Sequence, residues 1–196
     1  PTSAIESAVK RRQPMTKFRW LILFGPLVLF AGLVLFLLKG LGSDPTELDS
    51  ALVDDPVPQF QAKDLYDTDI TYDQSVLHDG PLLMNVWATW CPTCRAEHEF
   101  LNELAAKGIP IVGLNYKDDS REKAVNWLNT LGDPYTVNLF DPEGEIAFDF
   151  GVYGAPETYF IDHKGVIRYR HVGDVNERNW SNKLQGIYQQ LVEEAK

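Results

Sequence analysis

From Trp20 to Leu38 the chain runs for nineteen consecutive residues without a charge, WLILFGPLVLFAGLVLFLL. Coiled as a helix, that stretch rises about 28 Å, close to the hydrocarbon thickness of a bilayer. A helix packed in a protein core keeps a polar stripe, and this one has none. A cleaved secretory signal is the competing reading. Its apolar region is shorter, about 7–15 residues, and ends in small residues of the A-x-A type. Here the run is longer and KGLGSDPTE follows it. The expectation is an uncleaved single-span transmembrane anchor over residues 18–39. Gly25-Pro26 would break a soluble helix, but both residues are tolerated in spanning helices.

Charge divides around this run. Residues 1–39 carry six basic side chains against the single acid Glu6, whereas the remainder carries 12 basic and 27 acidic. Five of the basic residues precede the span, so residues 1–17 are expected to form a basic cytoplasmic tail, with the acidic body on the far side. Gly, Pro, Asp and Ser punctuate residues 40–58, which read as a tether. Residues 59–196 are long enough for one ordinary domain. A net charge of −10 argues against a nucleic-acid partner.

Within that domain, strand and helix signals alternate. PLLMNVWA (81–88) and IPIVGLNY (109–116) are short apolar runs of the kind that form buried strands, with TVNLF (136–140) a third. Helical patterns cover 92–107, 118–131 and 176–194, and the pair 158–162 and 166–172 reads as a hairpin around HKG. This order specifies an α/β fold, a mixed central sheet with helices on both faces.

Both cysteines of the chain fall in Trp90-Cys91-Pro92-Thr93-Cys94, between a buried strand and a helix. Free backbone N–H groups and the helix dipole would stabilise a thiolate at Cys91. Cys94, one turn on, can close a readily exchanged disulfide with it. Pro92 suits a first helical turn, where its missing N–H costs nothing. Two other readings stay open at this point. One is a structural disulfide, although so short a loop gains little chain-entropy stabilisation. The other is a metal site completed by His98, or by His78, His163 or His171 if the fold brings one close.

A second block, GVYGAPET (151–158), precedes a strand. With it, residues from about 58 to 194 resemble thioredoxin-fold proteins. WCPTCRAEH (90–98), GLNYKDD (113–119), GVYGAPET and IRYRHVGD (167–174) together resemble the membrane-anchored thioredoxin-like proteins of cytochrome c biogenesis, the CcmG/DsbE group. That resemblance implies a thioredoxin-like domain behind an N-terminal transmembrane helix, in the bacterial inner membrane, with the catalytic domain in the periplasm. It implies a thiol–disulfide oxidoreductase, without cofactor or metal, that acts as a reductant through Cys91 and Cys94. Trp90, Pro92 and Thr93 would support the motif. Pro156 would be a cis-proline and, with Ala155, would dock the substrate chain. Clients would be the haem-attachment C-x-x-C-H of apocytochrome c or a haem-lyase-associated thiol protein, with electrons arriving from a membrane thiol transporter.

Ordinary thioredoxins bury an aspartate six residues before the first cysteine. Here that position is Asn85, so the resemblance moves the acid to Glu97 or Glu157. The insertion DPEGEIAFDF (141–150) is expected either to shape a groove or to form a surface hairpin. A general periplasmic disulfide reductase and a copper chaperone using Cys91, Cys94 and a histidine are the alternative functions. A peroxidase has no motif in its favour.

Overall fold

Strand β3 (Leu82–Trp87) is buried at every position and organises the domain around itself. The computed structural model describes residues 17–40 and 52–196. The expected basic tail, apart from residue 17, and most of the expected tether lie outside the described residues. Contacts divide the chain into two units, Pro1–Pro45 and Thr46–Lys196.

In the first unit, Lys17–Gly40 forms the 24-residue helix α1, with Pro26 inside it. Its side chains include exposed Val28, Leu29, Phe30 and Phe36. Among the described residues no helix is long and apolar enough to cross a membrane.

In the second unit seven strands form one mixed sheet, in the order β2-β1-β5-β4-β3-β6-β7. They are β1 (Gln61–Asp64), β2 (Thr71–Asp73), β3, β4 (Ile111–Tyr116), β5 (Val137–Asp141), β6 (Glu157–Ile161) and β7 (Ile167–Val172). β3 pairs with β4 in parallel and with β6 antiparallel; β4 and β5 are parallel. Helices α2 (Pro92–Ala106) and α3 (Arg121–Leu131) connect the parallel strands. The steps from β3 to β4 to β5 run in one direction across the sheet, so right-handed crossovers put both helices on the same face.

The sheet therefore has helices on both faces, as the sequence indicates, but unequally. Leu83 and Trp87 of β3 meet Leu101 and Leu104 of α2, Leu128 of α3, and Leu184 and Leu191 near the C-terminus. On the other face Leu82, Met84 and Val86 meet Val57, Phe60, Leu77 and Phe150, with Ile146 and Ala147 of the short helix α4 (Glu145–Asp149). Residues 141–150 thus form a strand end and a helix rather than a hairpin. Gly144 opens α4 at φ 74°, a left-handed conformation that favours glycine, and Asp141 accepts the N–H of Ala147 at 2.9 Å.

The helix expected at 176–194 forms with a π-helical turn inside it: α5 (Glu177–Asn179), the turn Trp180–Leu184, and α6 (Gln185–Glu194). Asn176 caps its start by accepting from the N–H of Asn179. The hairpin of β6 and β7 forms as expected. Strands β1 and β2 were not indicated by the sequence. They are four and three residues long, and a strand this short carries little period-two signal.

Gly113 in β4 has a packing reason. A Cβ there would lie 2.8 Å from the ring of Tyr135 and 2.9 Å from Oδ1 of Asn138. The aromatic ring rests directly on the strand, on the α2 face. Gly113→Ala is therefore expected to cost about 1–3 kcal/mol in denaturant unfolding, the usual range for an overpacked core. Unchanged stability would mean that Tyr135 does not rest on β4.

Candidate functional site

The end of β3 delivers the chain to the start of α2, and the two cysteines sit at that junction. Cys91 is the N-cap of α2, in extended conformation, with Pro92 directly after it. Its sulfur accepts from the N–H of Cys94 at 3.0 Å. Cys91 and Cys94 are joined as a disulfide. Both are buried, while Pro92 and Thr93 face outward. Backbone donors and the positive helix end at Cys91 favour a thiolate there once the bond is reduced.

The loop before β6 closes over Cys91. Its Sγ lies 3.3 Å from the carbonyl oxygen of Ala155, an acceptor for the thiol proton in the reduced form. The Ala155–Pro156 peptide bond is cis, as the resemblance implies. The structure thus brings Cys91, Cys94, Ala155 and Pro156 together from two distant parts of the sequence.

Trp90 is 54% exposed beside them. Its Nε1–H donates to the Lys117 carbonyl at 3.1 Å, and its ring stands 6.2 Å from that of Tyr116. Buried Asp118 holds the same loop from below. Its carboxylate accepts from the N–H and hydroxyl of Thr89 at 3.0 and 2.5 Å, and from the amide of Asn115 at 2.6 Å. Sequence reasoning assigned Asp118 no role, although it lies in the GLNYKDD block. A pocket of about 580 Å³ opens between Tyr116–Lys117 and α4, lined also by Glu143, Phe148 and Asp149.

The two candidate acids are both buried, but on opposite faces of the sheet. Glu97 lies three residues after Cys94 on α2, on the face that holds the cysteines. Its Oε1 accepts from Nδ2 of Asn85 at 3.0 Å, and its Oε2 from the N–H of Val175 at 2.8 Å. Loss of hydration raises its pKa to about 8, against the lowering effect of those two hydrogen bonds; the Asp174 charge adds to the rise. Asn85 in turn donates to Oγ1 of Thr158 at 3.0 Å and accepts from the hydroxyl of Tyr135 at 2.9 Å. Tyr135 was missed from the sequence, because a loop residue fifty positions away carries no local signal.

Glu157 stands opposite Val86 in the β3–β6 pairing, so its side chain turns to the other face. There it pairs with Nε of Arg170 at 2.8 Å and accepts from the Tyr159 hydroxyl at 3.2 Å. It also accepts from the N–H groups of Tyr153 and Gly154 at 2.9 and 3.2 Å. These contacts fasten the loop that carries Ala155 and Pro156. They do not lead to the sulfurs.

Two of the candidate histidines, His98 and His171, are otherwise engaged. His98 is buried, its Nε2 2.8 Å from the Gly132 carbonyl and its ring 4.3 Å from that of Trp127, edge-on. Burial lowers its pKa and keeps it neutral. His171 Nε2 lies 3.0 Å from the carbonyl of Asp174. Among the described residues, no three His, Cys, Asp or Glu side chains gather as a group that could hold a metal.

Comparison with known proteins agrees with this arrangement. Residues 52–190 match the Redoxin family. The chain is 56% identical over 180 residues to the thiol:disulfide interchange protein DsbE of Vibrio cholerae, covering 89% of this chain and 97% of that one. It is 50% identical over 180 residues to DsbE of Escherichia coli K12, with the same coverage. A solved structure of a DsbE-type thiol:disulfide interchange protein from Chlorobium tepidum superposes with a TM-score of 0.61 at 25% identity, covering 71% of this chain and 97% of that chain. A secreted thiol-disulfide isomerase from Corynebacterium glutamicum, at 21% identity, shares the fold with a TM-score of 0.63, covering 77% and 96%. With a C-x-x-C pair at a helix N-terminus under a cis-proline loop, the chain belongs to the DsbE thiol:disulfide interchange proteins and is a thioredoxin-like thiol–disulfide oxidoreductase.

Proposed function

We propose that this oxidoreductase is a membrane-tethered reductant of the periplasm serving the maturation of c-type cytochromes. The observation that carries its chemistry is the placement of Cys91 at the N-terminus of α2 with the Ala155 carbonyl 3.3 Å from its sulfur. A client chain docks against Ala155 and Pro156, with Trp90 shielding one side. The Cys91 thiolate attacks one sulfur of the client's disulfide, and the client S–S bond breaks as the mixed disulfide forms. The other client sulfur leaves as a thiolate and takes a proton from solvent. Cys94 gives its proton to the Glu97 carboxylate and attacks Sγ of Cys91, releasing the second client thiolate. The client gains two electrons, and this chain is left with the Cys91–Cys94 disulfide. A membrane thiol transporter then reduces it for the next turn.

A carboxyl raised to about 8 is well matched to a thiol of ordinary pKa near 8.5, so the proton moves between them with little penalty. Glu157 serves the site by holding the Tyr153–Pro156 loop. Asp118, which ties down Thr89, and the wall formed by α4 along the pocket beside Trp90 give the surface its shape.

The client reading draws on the resemblance of WCPTCRAEH, GLNYKDD, GVYGAPET and IRYRHVGD to the cytochrome c biogenesis group. Its chemistry is the disulfide of a haem-attachment C-x-x-C-H, or of a haem-lyase-associated thiol protein that carries its electrons. The anchor reading rests on the nineteen uncharged residues from Trp20 and on α1, among whose described side chains Leu27, Val28, Leu29, Phe30, Leu35 and Phe36 are exposed. Residues 18–39 would span the inner membrane once, with the N-terminus cytoplasmic, residues 40–58 as tether and 59–196 as the periplasmic domain. A copper-binding role has less in its favour, since His98 is already turned to Gly132 and Trp127.

Trapping tests the exchange. Cys94→Ser should accumulate a mixed disulfide through Cys91 with a peptide carrying an oxidised C-x-x-C-H, and Cys91→Ser should trap none. Capture of a broad set of unrelated disulfide proteins by the first variant would instead make the chain a general reductase.

The raised pKa of Glu97 has a consequence for stability. The folded state holds a proton on this group up to about pH 8, whereas the unfolded chain releases it near 4.5. Between those values the folded state binds more protons, so this contribution to stability is full below about 4.5 and is lost as pH rises through 8. Denaturation of the oxidised protein should show that decline, and Glu97→Gln should flatten it. An unchanged slope in the variant would remove Glu97 from the account.

The anchor is tested on the full-length chain in membranes. It should remain in the pellet after alkaline carbonate washing; release to the supernatant would overturn the spanning reading.

A further inference from the structure

We infer that Tyr135 is a positioning residue for the exchange reaction: it fixes the side-chain amide of Asn85 with an N–H toward the Glu97 carboxyl, which favours the ionised, proton-accepting form that burial opposes. The inference deepens, and rests on, the reading of Glu97 as acceptor of the Cys94 proton. Its geometry is a chain of three buried side chains. The Tyr135 hydroxyl donates to Oδ1 of Asn85, and Nδ2 of Asn85 spends its two N–H groups on Oε1 of Glu97 and Oγ1 of Thr158.

An amide has two orientations, and Tyr135 selects between them. In the observed one an N–H faces Glu97, which favours a carboxylate. In the flipped one the carbonyl would face Glu97 and accept from its protonated form. The Tyr135 hydroxyl would then have an NH₂ group before it and no acceptor for its own proton, a costly arrangement in a buried site. Tyr135 keeps its proton because burial, and then the Glu97 and Asp133 charges, hold its pKa well above the usual value. It is therefore always a donor toward Asn85.

The ring is also built into place. It lies on Gly113, where a Cβ would collide with it, and stacks on Trp87 with centroids 5.7 Å apart. Its backbone N–H is held by Asp133 Oδ1 at 3.0 Å. These contacts survive removal of the hydroxyl alone, so Tyr135→Phe separates the hydrogen bond from the packing.

The other groups around Glu97 do not perform this selection. Asp174, in the segment after β7, raises the carboxyl pKa by its charge, and the Val175 N–H from the same segment lowers it. Thr158 from β6 is neutral. On α2 itself, Cys94 is the proton donor, and His98 turns its ring to Gly132.

The test follows the carboxyl carbon of Glu97 by NMR in the full-length oxidised chain, with ¹³C-labelled glutamate and the disulfide intact so that no thiol titrates. In the wild type it should titrate near 8. Tyr135→Phe should move that value up by about one unit, the size of a single hydrogen-bond contribution, and cut the ionised fraction below it up to tenfold. Asn85→Ala should raise it too, and on that background Tyr135→Phe should add nothing.

A Glu97 titration unmoved by Tyr135→Phe would overturn the inference. So would an equal shift with Asn85 already replaced. Should Tyr135→Phe fail to fold, the wild type suffices: the Asn85 side-chain amide protons must shift with the Glu97 titration, and amide protons that ignore it overturn the inference. A raised Glu97 titration in Tyr135→Phe with an unchanged pH profile of disulfide exchange supports the coupling. In that case it is the role of Glu97 as acceptor for Cys94 that falls.

Discussion

Asn85 lies at the centre of β3 with no solvent exposure, and a polar side chain in that position has to be satisfied completely by its neighbours. Its carbonyl takes the Tyr135 hydroxyl, and its two N–H groups go to Glu97 and Thr158. Meeting that demand draws together α2, β6 and the loop before β5, which are remote in sequence. Gly113 clears space for the Tyr135 ring, and the cross-strand pairing of Asn85 with Thr158 fixes the register of β6 against β3. The same register decides what the next residues do. With Thr158 on the α2 face, Glu157 must point to the other side, and Pro156 arrives at the end of β3 where the cysteines begin.

The two acids therefore do different work although they look equivalent in the sequence. Glu97 accepts from two uncharged donors, the Asn85 amide and the Val175 N–H, and feels the Asp174 charge, so the cost of losing water dominates and its proton is held up to about pH 8. Glu157 is equally buried, but it faces the Arg170 guanidinium and two backbone N–H groups. A carboxylate so supplied with donors is a structural anion. The anchored loop is the one whose carbonyl meets Cys91. One face of the sheet manages protons, and the other fixes the strap that presents the client.

What the sequence made legible follows the strength of its local signals. The apolar run 81–88 and the amphipathic pattern after Pro92 place β3 and α2 within a residue or two, and so place both cysteines. The hairpin around HKG and the break at Gly132 are equally local. Strands β1 and β2 alternate too briefly to register, and α4 is a five-residue helix whose start depends on Gly144 and on the side chain of Asp141. The long helices share one face because β3, β4 and β5 step in a single direction, a property of strand order that no periodicity carries. Asp118 and Tyr135 were illegible for the same reason. Each is a loop residue with a defining partner far off in sequence, Thr89 29 positions from Asp118 and Asn85 50 positions from Tyr135. The faces of Glu97 and Glu157 become separable only once the partner of each strand residue is known.

The replacement of a strand aspartate by Asn85 acquires a physical reason in this setting. An aspartate at position 85 would stand within hydrogen-bond distance of Glu97, and two buried carboxylates so close share one proton and titrate as a pair. Neither would then have a pKa of its own near that of a thiol. An amide keeps the hydrogen bonds and removes the second charge. Its asymmetry also provides what a carboxylate cannot: one end that only donates and one that only accepts. Tyr135, as an obligate donor, fixes which end faces which neighbour. A single acid, titrating alone and held in one orientation of its surroundings, is the simplest arrangement by which a buried site can take one proton from Cys94 and give it back when the disulfide is next reduced.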